Sequence, residues 1–357
     1  MYNFLGSSVS ELQLNHMNLT VFDRLIDLTM SFVGYCKKLF LSAMASIWDL
    51  IVIGALSVIY IGESIALTFT PTFLRSQKSL RNKIILLTGG AGGVGQELTL
   101  RLARLKAKVV VWDINEKALE KVQEKCAKEG YKIYTYAVDI SDRQNVYKNA
   151  DLVKSEVGHV DILINNAGIV CGNTFLDIPD HMIEKTYQVN ILSHYWTTKA
   201  FLSDMLKNGR GHIVTMGSLT GLLGTYKCTD YSGTKHAAMG FHESLMAELK
   251  THGHDNINMT IVCPYFINTG MFSGCKPRNF PMLEPKDVAK RLITAVRREE
   301  VYVTMPGWAR FILPMKNFIP AKLAWALSYR LIKGPQSMMG LRPFQDSSSS
   351  TVEVAAA

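Results

Sequence analysis

Thr88-Gly89-Gly90-Ala91-Gly92-Gly93-Val94-Gly95 joins a short β-branched run at 83–88 to a stretch with helical spacing. Its glycines fit two templates, GxGxxG through Gly90, Gly92 and Gly95, or TGxxxGxG through Thr88, Gly89, Gly93 and Gly95. In either template the missing Cβ atoms let the backbone turn tightly. They also let a pyrophosphate rest against the first turn of the helix, at Gly93, Val94 and Gly95. Asp113 stands 18 residues beyond Gly95, at the end of the next apolar run. A carboxylate there accepts hydrogen bonds from a ribose 2′-hydroxyl. A 2′-phosphate would meet like charge, and neither the glycine turn nor Ile114-Asn115 offers a cation. NAD is therefore expected rather than NADP.

Outward from this turn, apolar and β-branched runs recur at 83–88, 108–113, 133–138, 161–165, 211–216, 258–263 and 300–304, separated mostly by amphipathic stretches. Such alternation predicts βαβ units: an α/β fold with one Rossmann-type, doubly wound parallel sheet of about seven strands, as a single domain over 82–305. The chain has 357 residues, 48% hydrophobic and 19% charged, which excludes a disordered polymer and a disulfide scaffold. Six cysteines without CxxC spacing and nine dispersed histidines give no metal site.

Before the domain, 1–38 contains Phe22, Leu25, Ile26, Phe32 and Val33 at helical spacing, an amphipathic segment, and 39–74 carries only Asp49 and Glu63 as charges. The latter is read as a membrane anchor. A spanning helix, a re-entrant hairpin and a buried soluble helix all remain open, because the uncharged stretch between the two acids is shorter than the ~20 residues of a clean crossing. Arg75, Lys78, Arg81 and Lys83 follow it and place the domain on the cytosolic side. After the domain, 306–345 is a basic, aromatic extension. Between 305 and 345 there are six Lys/Arg and no Asp/Glu, interleaved with Trp308, Phe311, Phe318, Trp325 and Tyr329. This pattern suits a membrane surface better than nucleic acid, and either a second membrane contact or packing on the domain accounts for it. The tail 346–357 is expected to be disordered.

Tyr231 and Lys235 lie four apart in a helical pattern, so both project from one face, and Ser218 stands 13 residues before Tyr231. A nearby cation stabilises a phenolate, and a hydroxyl at Ser218 is placed to hold a substrate oxygen while Tyr231 moves its proton. With the glycine turn, these motifs resemble the short-chain dehydrogenase/reductase family across about 82–305. The resemblance implies that Asp139, with Ile140 beside it, contacts the adenine, and that Asn165-Asn166-Ala167-Gly168 supports the sheet and cofactor. It further implies that Asn190 holds a proton-relay water and completes a tetrad with Ser218, Tyr231 and Lys235, the last two also touching the cofactor. Pro264, Ile267 and Thr269 match the family's nicotinamide contacts, while Tyr265 replaces its usual glycine.

The anchor, Val111-Trp112-Asp113-Ile114-Asn115 and Cys263-Pro264-Tyr265-Phe266 are similar to the group of membrane-bound epidermal retinol dehydrogenases and lipid-droplet 17-beta-hydroxysteroid dehydrogenases. That resemblance implies a lipophilic alcohol as substrate, a membrane or lipid-droplet surface, a site at the endoplasmic reticulum or droplet, and a homodimer through the helices of Asn190 and Tyr231. Leu219, Phe266 and Met271 are expected to line the substrate pocket with Ser218; packing against one another beneath a closed loop is the alternative. No nucleic-acid partner is expected. The rival readings are an NADP-dependent carbonyl reductase of lipid intermediates, which Asp113 disfavours, and an inactive lipid-droplet scaffold, which the intact catalytic set disfavours.

Overall fold

Seven short strands fall at the apolar runs: β1 Ile84–Thr88, β2 Lys108–Asp113, β3 Tyr134–Ala137, β4 Ile162–Asn165, β5 Gly211–Met216, β6 Ile257–Pro264 and β7 Tyr302–Met305. They pair in parallel in the order β3-β2-β1-β4-β5-β6-β7. The computed structural model describes residues 6–70, 76–278 and 280–343. It divides into two units, Met1–Arg75 and Ser76–Ala357.

In the second unit the two-residue period of a strand sends alternate side chains to opposite faces. Ile85 and Leu87 of β1, Val109 and Val111 of β2 and Ile164 of β4 pack with Leu98, Leu119 and Leu292. These come from α2 Gly93–Arg104, α3 Glu116–Lys128 and α8 Pro285–Arg298. Leu86, Val110, Leu163 and Ile213 face the other way, onto Val146, Phe201 and Leu249. Those belong to α4 Arg143–Glu156, α6 Ser193–Lys207 and α7 Thr229–Thr251. Both faces are thus covered, as a parallel sheet of mainly apolar strands requires. Because β1 lies between β2 and β4, the connections leave its carboxyl end in opposite directions and open a crevice there.

α5 Asp180–Tyr187 runs into α6 through one π-helical turn, Gln188–Leu192, which contains Asn190. The extension after β7 forms α9 Ala309–Ile312, α10 Ala321–Ala326 and α11 Gly334–Met338. Its distal end docks on the domain: Met338 and Leu341 are buried with Tyr231, Phe272 and Cys275. The backbone is tied by Lys276 N–H to Ser337 O at 2.9 Å and Arg342 N–H to Ser273 O at 3.0 Å. The proximal half, with Phe311, Phe318 and Trp325, stays exposed.

In the first unit, α1 Gly6–Phe69 is one continuous helix of 64 residues. The change of composition expected at 38/39 falls inside this helix, and no hairpin turn interrupts its described residues. Its stretch Asp27–Gly62 is long and apolar enough to cross a membrane, by length and composition, and its side chains are exposed rather than buried. The side chains of Phe22, Leu25, Ile26 and Glu63, the flanking Arg75 and the tail 346–357 lie outside the described residues.

Candidate active site

The glycine turn closes because its own backbone fills the space a side chain would take. A Cβ on Gly95 would stand 1.9 Å from the Gly89 carbonyl oxygen, and Gly89 itself has a φ of +62°. Gly92 differs: its backbone is extended, a Cβ there would meet nothing within 4 Å, and it lines the cleft. No side chain caps the first turn of α2, so the N–H groups of Gly93, Val94 and Gly95 are left for an anion. Thr88 is buried and does not reach the cleft. Its hydroxyl accepts from the Asn166 and Ala167 N–H groups at 3.1 and 3.2 Å. The Asn166 amide returns bonds to the carbonyls of Thr88 and Gly89 at 3.0 and 3.1 Å. Thr88 therefore braces the ends of β1 and β4.

A cleft of about 490 Å³ runs along the carboxyl ends of the strands. At its outer end Asp113 accepts from the Ala91 N–H at 3.0 Å and the Asn115 N–H at 3.1 Å, one bond to each oxygen, leaving lone pairs for two further donors. Asp139 and Ile140 lie on the same side. Burial works to raise the Asp139 carboxyl, but the Ser141 hydroxyl and N–H and the Lys185 ammonium hold it below the ordinary carboxylate range. Lys185 Nζ is 3.2 Å from Asp139 and 2.7 Å from the Ser141 hydroxyl. Sequence reasoning missed Lys185, since its partner lies 46 positions away and no local spacing signals it.

Three strands inward from β2, roughly 14 Å away at one strand spacing each, Ser218, Tyr231 and Lys235 meet at the inner end, all nearly buried and all lining the cleft. Lys235 Nζ donates to the Met216 carbonyl at 2.8 Å and lies 5.5 Å from the centroid of the Tyr231 ring. Burial lowers the Lys235 ammonium to about 8. Burial, with Cys228 nearby, pushes the Tyr231 phenol well above its ordinary value, against a hydrogen-bonding contribution from Ser218 that lowers it. Asn190 does not line the cleft. Its amide accepts from the Ile169 N–H at 2.8 Å and donates to the Ile169 carbonyl at 2.8 Å and the Thr234 hydroxyl at 3.2 Å. A Cβ on Gly168 would sit 3.4 Å from Asn190 Oδ1 and 3.8 Å from Lys235 Nζ, so Asn190 stands directly behind the wall that Gly168 and Lys235 line.

Asn166, Ala167, Gly168, Pro264, Ile267, Thr269 and Met271 line the cleft; Leu219 and Phe266 do not. Leu219 packs on Met239, Ile261 and Cys263. Phe266 stands edge-on to Tyr265 at 4.7 Å and Phe272 at 5.5 Å. Both are held by apolar neighbours in the loop layer, in separate clusters rather than against one another, while Tyr265 and Phe272 take the wall positions. Among the described residues no group of His, Cys, Asp and Glu could hold a metal.

Glycines open to the cleft, unsatisfied N–H groups at a helix start and a carboxylate with spare acceptors fit a dinucleotide laid from Asp113 to Tyr231. Comparison with known proteins agrees on the fold. A solved short-chain dehydrogenase/reductase from Burkholderia phymatum, in complex with NAD, superposes with a TM-score of 0.62 at 22% identity, over 68% of this chain and 95% of that one. Epidermal retinol dehydrogenase 2 of Homo sapiens is 42% identical over 252 residues, 70% of this chain and 82% of that protein. Estradiol 17-beta-dehydrogenase 11 of Homo sapiens is 36% identical over 288 residues, 81% and 95% of the two chains. The short chain dehydrogenase family model matches residues 83–279, from β1 through the loop after β6, and the chain belongs to that family.

Proposed function

We propose that this chain oxidises a lipophilic alcohol with NAD, through a cytosol-facing domain over 82–305 anchored in a membrane by α1. The observation that carries the proposal is the meeting of Ser218, Tyr231 and Lys235 at the inner end of a cleft whose outer end is Asp113.

When bound, NAD supplies a hydride acceptor at the inner end of the cleft. The Ser218 hydroxyl donates to the substrate oxygen, and Tyr231, once its own phenolic proton has passed to the relay water beside Lys235, takes the hydroxyl proton as a phenolate. The Tyr231 phenol is neutral at pH 7 in the protein alone, since burial raises it. Proton transfer to Tyr231 therefore depends on positive charge close to its ring, and Lys235 holds one there. Asn190 is a positioning residue: it clamps Ile169 and Thr234 from the π-helical turn, keeping Gly168 and Lys235 in place and the relay water ordered. Asp113 takes the ribose hydroxyls. Of the two cations along the cleft, Lys185 is paired with Asp139 and Lys235 belongs to the inner end, so neither neutralises a 2′-phosphate at Asp113.

The relatives named for retinol and estradiol support a lipophilic alcohol, as does an inner wall of Tyr265, Met271 and Phe272. Tyr265 is the single polar anchor among these three wall residues, against the several a sugar would need. The 39–62 part of α1, with Asp49 its only charge, is about 36 Å long at 1.5 Å per residue and matches a ~30 Å hydrocarbon core. A continuous crossing helix favours the endoplasmic reticulum bilayer over a droplet monolayer, which has no second polar face. Exposed Leu192, at the end of the π-helical turn, and Tyr195, in the first turn of α6, support pairing of two chains through α6 and α7.

The test uses membranes carrying the full chain, supplied in turn with retinol, a 17-hydroxysteroid and a long-chain alcohol under NAD or NADP. NADH formation with at least one, faster than NADPH formation, is expected. Turnover only with NADP would favour the carbonyl-reductase reading, and none with either would favour a scaffold.

A further inference from the structure

We propose that the exposed half of the C-terminal extension, Trp308 to Arg330, is a second membrane contact that seats the mouth of the active site on an anionic phospholipid leaflet. The inference deepens the membrane reading above and rests on it. Phe318 is 85% exposed, Phe311 65% and Trp325 62%, with Ile312 and Met315 beside them, whereas the distal end of the same extension is buried. A soluble monomer rarely leaves such a run of large apolar side chains in water, and an extended apolar patch marks an interaction surface. The charge pattern selects the occupant. Arg310, Lys322 and Arg330 are exposed among these side chains, and no Asp or Glu occurs from 305 to 345. Aromatic rings flanked by cations suit the headgroup layer of an anionic leaflet, where Trp and Tyr settle and each cation adds attraction.

The patch is also fastened to the catalytic loops. Lys316 Nζ donates to the carbonyl of Leu222, in the loop that follows Ser218. Trp308 packs on Phe280 with ring centroids 5.2 Å apart, and Phe280 packs on Tyr265 of the cleft wall. Met338 and Leu341 close the extension onto the cluster around Tyr231. A leaflet under Phe311, Phe318 and Trp325 would thus be coupled through three contacts to the walls of the inner cleft, and an alcohol dissolved in it would reach the cleft without crossing water.

The full chain, with Cys36→Ser removing its exposed thiol, is reconstituted into vesicles of phosphatidylcholine with or without phosphatidylserine. An environment-sensitive dye is placed at Phe318→Cys, or at Glu124→Cys on α3 as the control, after each variant is shown to unfold thermally like its parent. At 318 the emission is expected to shift to the blue and to be quenched by spin-labelled lipid in phosphatidylserine vesicles, with no change at 124. Adding Lys322→Glu and Arg330→Glu should lower the inserted fraction about tenfold. Chain that floats with vesicles while the dye at 318 stays as wet as at 124 overturns this inference and leaves the anchor standing. Equal insertion in both vesicle types overturns the anionic attraction, and chain that fails to float overturns the membrane reading beneath both.

Discussion

Two glycines three positions apart should respond oppositely to the same added methyl group. In Gly95→Ala the new Cβ would lie 1.9 Å from the Gly89 carbonyl oxygen and 2.8 Å from Gly90 Cα, both backbone atoms that cannot swing aside. Overpacking of this kind costs about 3 kcal/mol. For a domain of this size that lowers Tm by about 6–12 °C. Gly92→Ala has no such conflict. Its φ of −128° and ψ of 163° are open to alanine, and no atom lies within 4 Å of the new Cβ. Stability without ligand should stay within about 0.5 kcal/mol, the weaker capping by alanine being offset by a less flexible unfolded chain. The methyl group would instead stand in the cleft where a pyrophosphate approaches the start of α2, weakening NAD at least about tenfold, or 1.4 kcal/mol. Differential scanning fluorimetry of the purified full chain in detergent, followed by calorimetric titration with NAD, reads both quantities. Gly95→Ala melting with the wild type, or Gly92→Ala binding NAD as tightly as the wild type, would refute the assignment of the two glycines.

Asp113→Asn keeps acceptors for the Ala91 and Asn115 N–H groups but removes the charge that repels a 2′-phosphate; kcat/KM with NADP should rise about tenfold relative to NAD, read from initial rates. Lys235→Met should abolish turnover and also flatten stability at high pH. With the folded-state value of Lys235 lowered to about 8 from 10.5, the unfolded chain holds a proton between those values that the folded chain has released. Wild-type stability from this group therefore rises by about 3 kcal/mol across pH 8 to 10.5, and denaturant melts of the variant should lack that rise. His194 is buried with neither ring nitrogen hydrogen-bonded, and burial lowers it to about 3 from 6.5. The unfolded chain takes up a proton there as pH falls below 6.5, so stability drops toward pH 3. His194→Leu should raise stability at pH 7 by about 1–2 kcal/mol and remove about 2 kcal/mol of the loss between pH 7 and 5. His242, lowered to about 4, acts in the same direction and should retain its own share.

The seven strands were legible because the central ones are buried on both faces and all read as short runs rich in apolar and β-branched residues, and their observed ends fall close to the expected ones. The glycine turn, Asp113, Ser218, Tyr231 and Lys235 were legible because each sits at a strand end or at helical spacing from the next. What escaped was set by partners distant in sequence. Thr88 looked like a cofactor contact, yet its hydroxyl is used by the backbone of Asn166 and Ala167, 78 and 79 positions away. Leu219 and Phe266 are apolar in loops above the sheet, and composition does not say which way such a side chain turns. Lys185 became visible only when β3 brought Asp139 to it. The helix Gly6–Phe69 shows no local break where polarity changes, since helical geometry is indifferent to the change from an amphipathic to an apolar surface.

The central claim is tested most directly by following the hydrogen itself. Membranes bearing the wild-type chain are given NAD and retinol or a 17-hydroxysteroid deuterated at the carbinol carbon, and the reduced cofactor is examined by mass spectrometry. One deuterium per NADH, a slower rate than with unlabelled alcohol under single-turnover conditions, and loss of both products in Tyr231→Phe are the expected results. NADH free of deuterium, or a Tyr231→Phe chain that turns over at the wild-type rate, would contradict the account.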